Sequence, residues 1–210
     1  MDNQTIIQYF ECDLPPDGLL WQRAAAQAKA LKEIGFDIVW LPPAYKGTEG
    51  ANDVGYGVYD LYDLGEFDQK GTVPTKYGTK EEYLAGVKAL QKEGIAVLAD
   101  IVLDHRMGAD ETEEVNAEQF DQADRNKQIA GETTISAWTK FTFPGRAGKY
   151  SDFIWDWKCF SAGDWDEKSK QSGFFRVSGK DWPQDVEKEN GNFDYLIGAD
   201  VDVRNPEVGQ

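Results

Sequence analysis

The chain has 210 residues, 40% of them apolar and 13% aromatic, enough to bury a sizeable core. With 38 acidic against 22 basic residues the formal charge is −16. Such a surface repels phosphate backbones and anionic lipid, which excludes nucleic acid and membrane surfaces as natural partners and leaves neutral ligands or cations.

No apolar run approaches the ~20 residues of a membrane span. The first residues, MDNQTIIQYFE, lack a basic stretch followed by an apolar one. The expectation is a cytoplasmic protein, with secretion the alternative if a leader has been removed. Cys12 and Cys159 lie far apart and form neither a disulfide framework nor a paired-cysteine metal spacing.

In chain order, Ile6 to Phe10 is a short β-rich run, broken by Pro15, Pro16 and Gly18. Leu20, Ala24, Ala28 and Leu31 recur at helical spacing, and Gly35 is placed to end that helix in the left-handed conformation. Phe36 to Leu41 (FDIVWL) is nearly all apolar and is expected to be a strand buried on both faces, as in parallel sheets. Thr79 and Glu82 form a capping box for a second helix carrying Tyr83, Val87 and Leu90 on one face. Gly94 ends it, and Ile95 to Leu103 is expected to be another buried strand. Two helix–Gly–strand units in succession imply right-handed crossovers onto a parallel sheet.

Between the second strand and second helix runs a glycine- and aromatic-rich loop, Pro42 to Gly78. Loops of that length carry function or small elements of their own. After Leu103 the pattern changes to aromatic-rich runs broken by Gly, Pro, Asp and Ser, the mark of an inserted β-rich subdomain. The acidic stretch Asp110 to Asp124 reads as solvated surface. Trp138, Trp155, Trp157, Trp165 and Trp182 fall in this region, and each reads as core before it reads as a sugar-stacking platform.

Two constellations could carry chemistry. Asp104 and His105 close the run DIVLDH at the C-terminal end of a strand, where barrel enzymes place their sites, and His105 is the chain's one histidine. Asp194, Asp200 and Asp202 put three carboxylates within nine residues without a basic partner in that window. Bringing them together favours a cation, and hard oxygen donors from separate segments suit calcium, with Asp104 as a fourth member. The alternative is scattered surface aspartates. No GxSxG elbow, P-loop, dinucleotide fingerprint or HExxH occurs.

The stretches IIQYFECDLPPDG, FDIVWLPPAYKG, DVGYGVYDLYDLGEFDQKGTVPTKYGTKEEY, DIVLDHRMGAD, FTFPGRAGKYSDFIWDW and KENGNFDYLIGADVD resemble the α-amylase family of glycoside hydrolases, the liquefying bacterial type most of all. The resemblance implies the N-terminal part of a (β/α)8 barrel: three βα units over 1–104, an inserted β-rich domain B over 105–200, and a return toward the barrel over 201–210. It implies that Tyr56 stacks under a sugar, that His105 hydrogen-bonds it, and that Asp104, Asp194 and Asp200 hold calcium. Asp202 matches a neighbouring metal cluster. Relatives of this type carry aspartates where this chain has Ser161 and Pro183, so one calcium is expected rather than several metals. The substrate implied is an α-glucan, starch or glycogen, cut at internal α-1,4 bonds with retention. The family's nucleophile and acid/base come from later strands, so no catalytic residue is assigned in this chain and the isolated chain is expected to be inactive. A non-catalytic glucan-binding or calcium-binding module is the alternative.

Overall fold

The computed structural model describes residues 3–182 and 196–208. The chain divides into two compact units, Met1–Val102 with Pro144–Ser151, and Leu103–Phe143 with Asp152–Gln210.

The first unit is a parallel sheet with helices on one face. Strands β1 (Ile6–Gln8), β2 (Ile38–Leu41) and β5 (Ala96–Ala99) lie in the order β1-β2-β5, both pairings parallel. Between them come helices α1 (Leu20–Ile34) and α2 (Lys80–Lys92). Helix α1 buries Leu20, Trp21, Ala24, Ala28 and Leu31, one stripe at helical spacing. It ends where Gly35 turns left-handed at φ 107° and its N–H reaches back to the last turn, as the sequence predicts. Helix α2 opens on the predicted capping box: the Thr79 hydroxyl accepts from the Glu82 N–H, and Glu82 accepts from the Thr79 N–H at 2.8 Å. Gly86 lets α2 approach α1 closely, since a Cβ there would stand 3.0 Å from the Trp21 carbonyl.

Register explains the core. Ile7, Val39 and Val97 form one row across the sheet, and all three pack into the cluster that holds Trp21, Leu31 and Leu90. The opposite rows are only partly covered: Ile6 is 53% and Leu98 46% exposed. The expectation of strands buried on both faces is therefore corrected. An apolar run is buried twice only when layers cover both sides, and among the described residues α1 and α2 cover one. Strand β5 pairs with β2 alone among the described strands.

The long loop is closed by charge. It carries a short antiparallel pair, β3 (Lys46–Gly47) with β4 (Val58–Asp60). Lys46 is fully buried, its ammonium donating to the carbonyls of Phe67, Thr72 and Val73 at 3.1, 2.6 and 2.7 Å and lying 3.5 Å from Asp63. Asp63 accepts the N–H groups of Gly65, Glu66 and Phe67. Gln69 bridges Asp63 to Asp60, and Asp60 accepts the Arg146 guanidinium at 2.9 Å.

On the surface, Glu66 gathers Lys149, Lys80 and the Tyr150 hydroxyl. Hydrogen bonds from Lys149 first, then Lys80 and Tyr150, outweigh desolvation and bring its carboxyl down to about 2. A carboxyl depressed in the folded state stabilises above its ordinary value and loses that contribution as pH falls through the folded one. The urea midpoint of the protein should exceed that of Glu66→Gln at pH 6–7, with the gap closing as pH is lowered from about 5 toward 2. A gap that is flat with pH would rule out this clamp.

The second unit is one antiparallel sheet. Strands β6 (His105–Arg106), β7 (Glu111–Asp121), β8 (Asp124–Lys140), β9 (Phe160–Asp166), β10 (Gln171–Val177) and β11 (Ala199–Val201) are ordered β6-β11-β9-β10-β7-β8. The acidic stretch read as surface is mostly strand β7. Asp110, just before it, accepts from Thr142 and Phe143, and Glu113 accepts from Thr139 and Trp157, so carboxylates there organise backbone. Val115, Ala117, Ile135, Ala137, Phe175 and Val177 form the core between β7, β8 and β10. Among the described residues no helix is long and apolar enough to cross a membrane.

Candidate functional site

In the first unit the predicted sugar-stacking residue is held at the C-terminal end of β5. The Tyr56 hydroxyl donates to Asp100 at 3.0 Å, immediately after that strand. Its turn is pinned by the Asp53 carboxylate, which accepts the N–H groups of Gly55, Gly57 and Glu49 at 2.8, 3.2 and 3.1 Å. At Gly57 a Cβ would sit 2.5 Å from Asp53 Oδ2, so glycine is required for the carboxylate to reach in. Burial first, then the bond to Asp100, pushes the Tyr56 phenol above its ordinary value, and it stays a neutral donor. Tyr45 closes the mouth by accepting the Val102 N–H at 3.1 Å. Asp53 and Tyr45 were not singled out from sequence, because nothing local distinguishes a turn-pinning aspartate from the many others.

In the second unit His105 lies on β6 opposite Asp200 of β11. Its Nδ1 is 3.0 Å from Asp104 Oδ1, a contact that orients the imidazole ring. Asp164, another residue missed from sequence, accepts the Gly198 N–H at 2.7 Å. Burial raises its carboxyl, a shift that this bond and the nearby His105 moderate.

The metal-ligand candidates divide. Asp104 accepts the Val201 N–H on its carbonyl at 2.8 Å, so the ladder brings Asp104 and Asp200 to neighbouring positions. Asp200 also takes the Ser161 hydroxyl. Asp194 lies outside the described residues. Asp202 is engaged by Lys180 at 3.0 Å and Arg204 at 3.1 Å. No basic residue lies within the window of these carboxylates, and Asp202 takes its cations from outside it, Lys180 from a distant loop and Arg204 just beyond. Among the described residues no three His, Cys, Asp or Glu side chains converge as a metal site.

The tryptophans also divide. Trp155, Trp157 and Trp182 are half-buried, as the core reading expects. Trp138 on β8 and Trp165 on β9 are 42% and 36% exposed. Both indole N–H groups donate to the same Glu167 oxygen, at 3.2 and 2.8 Å. Lys170, with the two indoles, brings the Glu167 carboxyl down to about 2. This fixes two solvent-facing rings on one anchor.

Parallel strands alternating with helices, followed in sequence by a β-rich unit, are the start of a (β/α)8 barrel with an insertion. The family model described as "Alpha amylase, catalytic domain" matches residues 24–189, and the chain belongs to that family. It is 54% identical over 208 residues to the alpha-amylase of Geobacillus stearothermophilus, covering 98% of this chain and 38% of that protein. It is 47% identical over 212 residues to the cytoplasmic alpha-amylase of Escherichia coli K12, covering 99% of this chain and 43% of that protein. The chain thus spans about two fifths of the length of the curated relatives it matches. Among solved structures it is similar to alternansucrase in complex with isomaltotriose, with a TM-score of 0.61 and 27% identity over 70% of this chain and 14% of that one.

Proposed function

We propose that this chain is the substrate-gripping, N-terminal part of an α-amylase that hydrolyses internal α-1,4 bonds of starch or glycogen with retention. The observation that carries the reading is Tyr56, fixed by Asp100 and the Asp53-pinned turn at the C-terminal end of β5, where barrel folds receive ligands. In this reading Tyr56 stacks under a sugar ring and the His105 imidazole, oriented by Asp104, hydrogen-bonds a sugar hydroxyl. A neutral glucan suits a chain of charge −16. Asp104, Asp194 and Asp200 would hold one calcium ion. When bound, that ion supplies the positive charge that lets the carboxylates approach. A cytoplasmic location agrees with the E. coli relative's name.

Affinity electrophoresis in soluble starch, with reducing ends measured in parallel, tests this. The pure chain should be retarded and release no reducing ends. Release by pure material would overturn the assignment of the cutting carboxylates to other strands, and absence of retardation would overturn glucan binding. A second reading, a glucan-binding module without catalysis, is favoured by Trp138 and Trp165, two exposed rings on one anchor.

A further inference from the structure

The fold family's neighbouring metal cluster would place a cation on Asp202, and the residues of this chain do not fit one there. Asp202 follows β11, with its N–H bonded to the Cys159 carbonyl at 2.8 Å and its carbonyl accepting from Asn205 at 2.9 Å. Its side chain is 10% exposed. One carboxylate oxygen faces Lys180 Nζ at 3.0 Å, and the other takes Arg204 Nε at 3.1 Å and the Arg204 N–H at 3.2 Å. The cations are themselves tied down. Lys180 Nζ also donates to the Lys158 carbonyl, Arg204 Nη2 to the Asp181 carbonyl at 2.8 Å, and Asn205 to Lys158 at 3.0 Å.

A divalent ion on this carboxylate would meet an ammonium and a guanidinium at contact distance. To enter it would have to displace both, and the largely buried Lys180 ammonium would lose its counter-ion. Among the described residues no donor set stands ready to replace them. Position 161 offers a neutral hydroxyl already committed to Asp200, and position 183 is proline, without a side-chain oxygen.

We propose that Asp202, Lys180 and Arg204 form a built-in ion-pair lock that takes the place of a metal ion on Asp202. The lock fastens three segments: the loop after β10 (Lys180, Asp181), the turn before β9 (Lys158, Cys159) and the chain beyond β11. Its cations are supplied by the chain, so it holds without added metal. This is independent of the single calcium proposed above for Asp104, Asp194 and Asp200.

The test uses the whole chain, with Asp202→Asn, Lys180→Met and the double variant, melted in EDTA and in calcium chloride, and calcium binding followed by titration calorimetry. Each single variant should melt roughly 2–4 °C lower, by the same amount in EDTA as in calcium. The double variant should fall by less than the sum, which a pair of unrelated structural losses would not produce. Calcium stoichiometry and affinity should be the same in Asp202→Asn as in the parent, within about twofold. A melting difference seen only in calcium, a lost binding event, additive variants, or affinity more than about tenfold weaker in Asp202→Asn would overturn the lock. If the parent binds no calcium at all, the single-calcium reading fails while the EDTA melts still decide the lock. Should Asp202→Asn fail to fold, Lys180→Arg, which keeps the charge, must melt close to the parent where Lys180→Met does not.

Discussion

Lys46→Met is expected to destabilise the first unit by about 3–5 kcal/mol, the range for removing one partner of a buried ion pair. Methionine matches the lysine stem closely in volume, so a cavity contributes little and the loss falls on the charge. The ammonium at present serves three loop carbonyls, Phe67, Thr72 and Val73, together with Asp63. The Thr72 carbonyl also accepts the Gln69 N–H at 3.2 Å, so the loss of this donor falls mainly on Phe67, Val73 and Asp63. Asp63 cannot follow its partner out, because it also accepts three backbone N–H groups at Gly65, Glu66 and Phe67. Urea denaturation of the two proteins measures the difference. A cost below about 1 kcal/mol would mean that the loop is held by its turns and not by this lysine. The same logic makes Arg146, buried on Asp60, the cation that carries 144–151 back onto the unit.

What was legible from sequence was whatever local periodicity and capping specify. Gly35 and the Thr79–Glu82 box sit where helix physics requires them, and the alternation of helix and strand marked the parallel sheet. What was not legible depended on partners distant in sequence. FDIVWL reads as doubly buried because composition cannot say which faces are covered. The run after Asp110 reads as surface, yet Asp110 and Glu113 turn inward to accept backbone N–H groups. The same holds at the candidate site. The loop containing Tyr56 stood out for its glycines and aromatics, but its anchor Asp100 is 44 positions away. The Asp202 carboxylate stands without a cation in its own stretch of sequence, and Lys180, 22 positions earlier, reaches it only through the fold. Aspartate carries the same charge whether it meets a metal, a lysine or an N–H; only its neighbours decide.

The tryptophans supply the second large effect, one of binding and not of stability. Trp138→Ala with Trp165→Ala is expected to weaken retention by soluble starch by about 10- to 100-fold, the loss typical of removing aromatic hot spots. The rings are 42% and 36% exposed, so the pair should cost less stability than loss of a fully buried tryptophan. Trp21→Ala supplies the contrast. Trp21 is 1% exposed and meets Tyr77 and Tyr83 edge-on at 5.4 and 5.0 Å, and its loss should cost about 3–5 kcal/mol. The role of Glu167 separates a platform from two incidental surface rings. As the shared acceptor it fixes both indoles before a ligand arrives, which spares the ordering cost of each ring. Glu167→Gln keeps an acceptor oxygen but loses the charge, and should reduce retention by a smaller factor than the double tryptophan variant. Tyr56→Ala completes the set: if it abolishes retention while the tryptophan pair leaves retention unchanged, glucan is gripped at the strand mouth alone and the rings on β8 and β9 have no part in it.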